Sequence, residues 1–278
     1  MRRPTALFLG TLAALGFAPH AAPARSPLLH VFAQFPSAGL AQPPCFPTPN
    51  TKLFDDETEG YAAQTRTNPA YGMPGWSRSQ GGRFHKGVDI LPVEFERTER
   101  TVKIEYYDPK TSRSFSKNEP VCIPHDEIYA VLDGTVVVVN ARSERSGYGR
   151  YVMIEHRFDD GTPFLSMYAH LSRVEVKEGR SVRRGDRLGI MGQTSSQPGG
   201  RRYLSAIPHC HFEVGRVIDE NFASTRAARA LRPPMLGGKY DPRNIQPYDP
   251  IRFLREFRAQ PRSSLVLTKA ASPQPREP

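Results

Sequence analysis

The sequence predicts an all-β chain: an antiparallel β-sheet sandwich or barrel-like domain with inserted loops. Strand-length apolar runs recur at fairly regular spacing and are bounded by Gly and Asp turn pairs. Pro and Gly are abundant, at 27 and 22 of 278 residues, which suits many turns and opposes a helical bundle. No stretch leaves room for a long helix.

The elements follow in chain order. Residues 25–60 are rich in Pro, Ala and Thr without a sustained period and read as a linker ahead of a domain over 61–258. Within 91–120 the chain is highly charged, and Val102–Tyr107 alternates apolar and polar, which predicts a projecting hairpin inserted beside the site. Strands are expected at Ile128–Leu132 and Thr135–Val139, around the turn Asp133-Gly134, and at Tyr151–His156 after Gly147 and Gly149. Further strands are expected at Pro163–Ala169 after Asp160-Gly161, Arg187–Met191 after Gly185-Asp186, and His211–Val214. Thr194–Pro208 is a second long loop, Asp249–Phe257 makes one short helical segment, and the Pro-rich tail over 259–278 is expected to be disordered.

A formal net charge of +10 suits a polyanionic partner, yet no dense Lys/Arg tract or basic helix points to nucleic acid. No apolar stretch reaches the roughly 20 residues that span a bilayer. Arg2 and Arg3 followed by the apolar run Ala6–Ala18 and the small residues Ala21, Ala22 and Ala24 read as a signal peptide over 1–24. The protein is therefore expected to be exported, to a periplasm or the cell exterior. Export permits a disulfide. Cys210 sits between two histidines on an apparent strand, so Cys45–Cys122 is the expected pair among the three cysteines.

The eight histidines are placed unevenly. His85 and Asp89 stand four residues apart, and a straight strand of that length spans about 13 Å, too far to share one metal ion. A bend is needed, and Gly87 lies where one could form. His209 and His211 fall at i and i+2 on one strand face, with Cys210 and Phe212 turned to the core. Two adjacent imidazoles repel if both are protonated, so the pair suits a metal or a catalytic role. His170 ends an apolar run. His156 reads as a packed residue and His125 as part of a turn. Ser166 lacks a Gly-x-Ser-x-Gly surround, and Cys210 and His209 point to opposite faces, so serine and cysteine hydrolases are unsupported.

Together His85, Asp89, His170, His209 and His211 form an ordered set. The segments Gly82–Ile90, Tyr129–Val136, Gly147-Tyr148-Gly149, Tyr168–Leu171, Val182–Gly192 and His209–Val214 resemble the lysostaphin-type (LytM-type) zinc metallopeptidases of bacterial cell walls. The resemblance runs over about residues 71–254 and closes on Asp249-Pro250. It implies an antiparallel β fold whose groove holds one Zn2+ per chain. Matched residue by residue, it places metal ligands at His85, Asp89 and His211 and catalytic histidines at His170 and His209, with the division of roles between those two left open. Three departures stand out: the long connection after Asp89, the long Thr194–Pro208 loop, and Cys210 where an aliphatic residue is usual.

The expected function is an exported zinc metalloendopeptidase that hydrolyses peptide bonds in peptidoglycan. The alternative is a non-catalytic peptidoglycan-binding regulator of another wall hydrolase. All five site residues are present, which favours the enzyme.

Overall fold

The structure, a computed structural model, describes residues 27–52, 72–78, 82–108, 113–197, 201–203, 208–222 and 238–265. The expected leader and most of the tail lie outside the described residues. The strands are β1 Gly75–Arg78, β2 Arg83–His85, β3 Val88–Ile90, β4 Phe95–Asp108, β5 Arg113–Pro124, β6 Glu127–Tyr129, β7 Gly134–Asn140 and β8 Arg150–Arg157. They continue with β9 Pro163–Leu171, β10 Arg173–Val174, β11 Ser181–Val182, β12 Arg187–Ile190, β13 Thr194–Gln197, β14 Arg201–Tyr203, β15 Cys210–Val217 and β16 Ile245–Tyr248. One α-helix follows, α1 Pro250–Glu256, its first N–H groups capped by the Asp249 carboxylate. The described chain is all-β in character, as the turn-bounded runs predict.

A seven-stranded antiparallel sheet forms the body, in the order β11-β7-β8-β9-β15-β16, with β3 pairing the N-terminal half of β15. A three-stranded sheet, β10-β12-β6, packs beside it. Period-two alternation sends side chains to opposite faces of the large sheet. Val152, Ile154, Tyr168, Phe212 and Val214 enter the main core with Ile128, Val131, Leu188 and Phe253. Met153, Leu165, Met167, Ala169 and Ile245 make a smaller cluster. Asp160-Gly161 and Gly185-Asp186 sit in the connections, as expected, while Asp133 precedes β7 and Gly134 opens it. The charged stretch after Asp89 is a long two-stranded hairpin, β4–β5, paired from Phe95↔Pro124 to Asp108↔Arg113.

Two expectations are corrected. Residues 27–52 are not a linker, because they are built into the domain. Phe32 packs on Phe84 and Phe35 on Tyr248, each with ring centroids 5.0 Å apart. Cys45 and Phe46 are fully buried, and the Cys45 and Phe46 amides donate to the carbonyls of Val131 and Gln260. Aromatic side chains in a Pro-rich segment supplied the apolar area that a solvated spacer lacks. Its partner is the start of the supposed tail: Gln260 forms a bridge with Cys45, and Ala259 and Leu265 are buried. The second correction concerns the cysteines. All three are free thiols: Cys45 lies buried with Tyr129 and Leu265, Cys122 sits on β5, and Cys210 is buried on β15.

Candidate metal centre

Four strands build the site. The alternation of β15 places His211 and Glu213 on the sheet face opposite the main core, while Cys210 and Phe212 are fully buried within it. β3 pairs β15 with Asp89 directly opposite His211, and β9 pairs it on the other side with Ala169 opposite His211. The bend between His85 and Asp89 is real, since β2 ends at His85 and β3 starts at Val88. Gly87 in that bend is required by close approach: a Cβ there would sit 2.5 Å from the Phe212 carbonyl oxygen and 2.8 Å from the His211 ring. His209 precedes β15 and bridges Gly192, its amide donating to the Gly192 carbonyl at 3.1 Å.

His170 arrives by a different device. The β8–β9 register slips between Arg150 and Val152, adding one residue to β9, and His170 there takes a left-handed φ of 63°. Such a conformation costs an L-residue about 1 kcal/mol, and it re-aims the side chain at the end of the strand. The His170 ring lies 4.8 Å from that of His209 and 5.8 Å from that of His211, centroid to centroid. The structure thus brings all five predicted residues together, and all five are buried.

Donor atoms of His85, Asp89 and His211 lie within 4.8 Å of one another. His211 Nδ1 is 2.8 Å from Asp89 Oδ1 and 3.0 Å from His85 Nε2. The opposite ring nitrogens are held elsewhere. His85 Nδ1 lies 2.8 Å from the Met73 carbonyl oxygen, and His211 Nε2 lies 2.8 Å from Glu213 Oε1. Carbonyl and carboxylate oxygens only accept, so His85 Nδ1 and His211 Nε2 carry protons, and His85 Nε2 and His211 Nδ1 are the nitrogens that face inward. Two imidazoles and one carboxylate converge in a buried set, which is the donor chemistry of a zinc-type site once His211 Nδ1 is deprotonated. His209 Nε2 stands 3.7 Å from Asp89 Oδ1, beside the set.

Three further residues shape the electrostatics. Arg78 on β1 donates to Asp89 Oδ2 and lies 2.8 Å from His85 Nε2. Burial alone would raise the Asp89 carboxyl, but His85, Arg78 and His209 hold it well below the usual carboxylate range. Glu213 behaves alike: burial opposes its charge, but His211, Lys86 and Tyr148 keep its pKa low. Burial also works against an imidazolium at His211, and the bonds to Asp89 and Glu213 outweigh it, pushing its pKa up to about 9. Burial lowers the pKa of His85 and of His170, where His209 and His211 add to the effect. His170 Nδ1 lies 2.8 Å from the Thr194 carbonyl oxygen, which fixes its proton there.

Among the residues outside the expected site, His156 is packed, with Nδ1 2.8 Å from the Asp133 carbonyl and Nε2 2.7 Å from Ser166 Oγ. His125 lies on the exposed side of the hairpin base, near Glu96. Sequence reasoning gave no role to Arg78 or Glu213. Glu213 carried a signal, being two residues from His211 on the same strand face. Arg78 carried none in its spacing.

Comparison with known proteins follows the same outline. The chain is 35% identical over 172 residues to an uncharacterized metalloprotease of Haemophilus influenzae, covering 57% of this chain and 30% of the relative. It is 34% identical over 169 residues to the peptidoglycan DD-endopeptidase ShyA of Vibrio cholerae, covering 55% of this chain and 35% of that protein. The chain thus spans about a third of the length of these curated relatives. Among solved structures, the catalytic domain of lysostaphin from Staphylococcus simulans aligns at 19% identity and TM-score 0.34, over 67% of this chain and 89% of that one. Residues 121–223, which hold His170, His209 and His211 and begin within β5, match the model of peptidase family M23.

Proposed function

We propose that this chain is an exported zinc metalloendopeptidase that hydrolyses peptide bonds in bacterial peptidoglycan. The observation that carries the reading is the buried convergence of His85, Asp89 and His211 with His170 and His209 alongside. In this reading His85, Asp89 and His211 hold one Zn2+ per chain. When bound, zinc supplies a Lewis acid that lowers the pKa of water and polarises a carbonyl oxygen.

The protein's own groups do the remaining work. His170, with its proton fixed on Nδ1 by the Thr194 carbonyl, offers the Nε2 lone pair as a proton acceptor. Its burial and its two histidine neighbours keep it neutral, the form a base requires. His209, beside the Asp89 carboxylate, is placed to hydrogen-bond the substrate carbonyl oxygen as negative charge develops there. Arg78 holds one oxygen of Asp89 and so fixes the rotation of that carboxylate.

Substrate and compartment rest on other observations. Relatives named as peptidoglycan DD-endopeptidases match over 169 and 107 residues, and the leader-like N-terminus and the net charge of +10 suit an anionic cell envelope. Among the described residues no helix is long and apolar enough to cross a membrane. The test is digestion of purified peptidoglycan by the zinc-loaded protein, with released fragments identified by mass spectrometry and His209→Ala as the blank. Fragments absent from the blank support the endopeptidase and identify its bond. No fragments from several wall chemistries, at one zinc per chain, would overturn it.

A further inference from the structure

We propose that Glu213, braced by Tyr148, is a positioning residue that fixes His211 so that Nδ1, and not Nε2, faces the metal. The inference rests on the reading above only in taking His211 as a ligand. Glu213 follows His211 by two residues on β15, so both side chains rise from the same face of one strand. Its carboxylate is buried and meets His211 Nε2 at 2.8 Å. The same oxygen, Oε1, accepts the Tyr148 hydroxyl at 2.9 Å. The imidazole is thereby held at both nitrogens, by Glu213 on one side and by the Asp89 and His85 donor atoms on the other.

The brace comes from a distant part of the chain. Tyr148 lies in the loop between β7 and β8, and its ring sits 5.4 Å from that of His211. That loop is itself pinned. Gly149 has φ 61°, and a Cβ there would fall 2.0 Å from the Thr194 carbonyl oxygen. Asn140 Nδ2 donates to the Gly149 carbonyl at 2.6 Å, and Tyr148 N donates to Ser146 Oγ at 3.1 Å. Thr194 is also the acceptor for His170, so one loop contact ties the brace of a ligand to the orientation of the neighbouring histidine. On the other side, Lys86 next to His85 donates to the Pro242 and Ile245 carbonyls, which holds a half-buried amine near Glu213. A carboxylate behind a metal-bound imidazole fixes its tautomer and raises its basicity, and loss of such a partner typically costs 10–100-fold in metal affinity.

The experiment compares wild type, Glu213→Gln, Tyr148→Phe and His211→Ala, each stripped of metal and titrated with zinc against a chromophoric chelator. Zinc-loaded samples are then examined for the His211 Nε2 proton by 1H–15N spectroscopy. The expected result is zinc binding weakened about 10–100-fold in Glu213→Gln. A smaller loss is expected in Tyr148→Phe, and the His211 Nε2 proton should be shifted and faster to exchange in both. A merely structural glutamate would not move that proton signal. Wild-type affinity and an unchanged signal in Glu213→Gln would overturn the inference. If Glu213→Gln does not fold, an unchanged Tyr148→Phe overturns it instead. His211→Ala separates the two levels: full zinc binding in that variant sinks the metal centre itself, while lost binding there with an unaffected Glu213→Gln sinks only the brace.

Discussion

Asp89 and His211 stand directly opposite each other in the β3–β15 ladder, with Oδ1 and Nδ1 2.8 Å apart. The pairing is set by strand register, not by loop conformation. A one-residue slip would carry either side chain to the other sheet face, so the same hydrogen bonds that build the sheet hold the two donors together.

The first prediction separates ligands from catalysts. His170→Ala and His209→Ala should retain one zinc per chain and lose about 10²–10⁴-fold in kcat/KM on peptidoglycan. His85→Ala should lose the zinc. Metal content by elemental analysis beside the digestion assay checks both, and zinc loss in His209→Ala would refute the division.

Gly87→Ala tests the close approach beneath His211. A Cβ 2.5 Å from the Phe212 carbonyl oxygen has backbone against it and cannot be absorbed by a rotamer change. Overpacking of this kind costs about 1–3 kcal/mol, and zinc affinity should fall with it. Thermal melting and chelator competition read the two effects. A variant as stable and as tight as wild type would disprove the packing argument.

Arg78→Met should destabilise the metal-free protein far more than the zinc-loaded one. Removing the guanidinium leaves the buried Asp89 carboxylate short of a cationic partner, a loss of about 3–5 kcal/mol where nothing compensates. A bound dication compensates. Denaturant midpoints of the two forms should diverge, and equal losses in both would rule this out.

His156 gives the fold an acid sensitivity. Burial lowers its pKa from 6.5 to about 4, so the folded state favours the neutral ring. Below pH 6.5 the unfolded chain gains a proton that the folded one refuses until about pH 4. Its contribution, about 3 kcal/mol, is therefore complete above pH 6.5 and fades as pH falls to 4. Urea unfolding of wild type and His156→Asn across that window should show a shallower slope in the variant, and parallel slopes would exclude it.

Thiol counting checks the cysteine correction. Denatured, unreduced protein should show three free thiols. In the folded protein the half-buried Cys122 should react first, because burial pushes Cys45 up to about 12 and raises Cys210 further. A single thiol on denaturation would restore a disulfide.

Much of the fold was legible because its strands are short, turn-bounded and alternating: the expected Tyr151–His156 strand is the core of β8, and Asp249–Phe257 contains α1. The five candidate residues were legible through the resemblance of their ordered segments to the lysostaphin-type family; by spacing alone, only His209 and His211 at i and i+2 on one strand face pointed to a site. What failed had no such spacing. Cys45 was paired with Cys122 by elimination, although position in space decides a disulfide, and Cys45 lies under Gln260 instead. Residues 27–52 were misread because a segment that packs by scattered Phe anchors has no period. Arg78 reaches Asp89 only through the β1–β2 pairing, which local pattern does not encode.

The base of the β4–β5 hairpin has a wider implication. Asp126 accepts the Val93 and Glu94 amides on its two carboxylate oxygens, at 2.9 and 2.8 Å, and its own carbonyl accepts the Met191 amide. With Phe95 paired to Pro124, the chain leaves and re-enters at one collar just beyond Asp89. A collar pinned in this way should isolate the metal centre from what lies past it: replacing the hairpin beyond it by a two-residue turn is expected to leave zinc affinity unchanged.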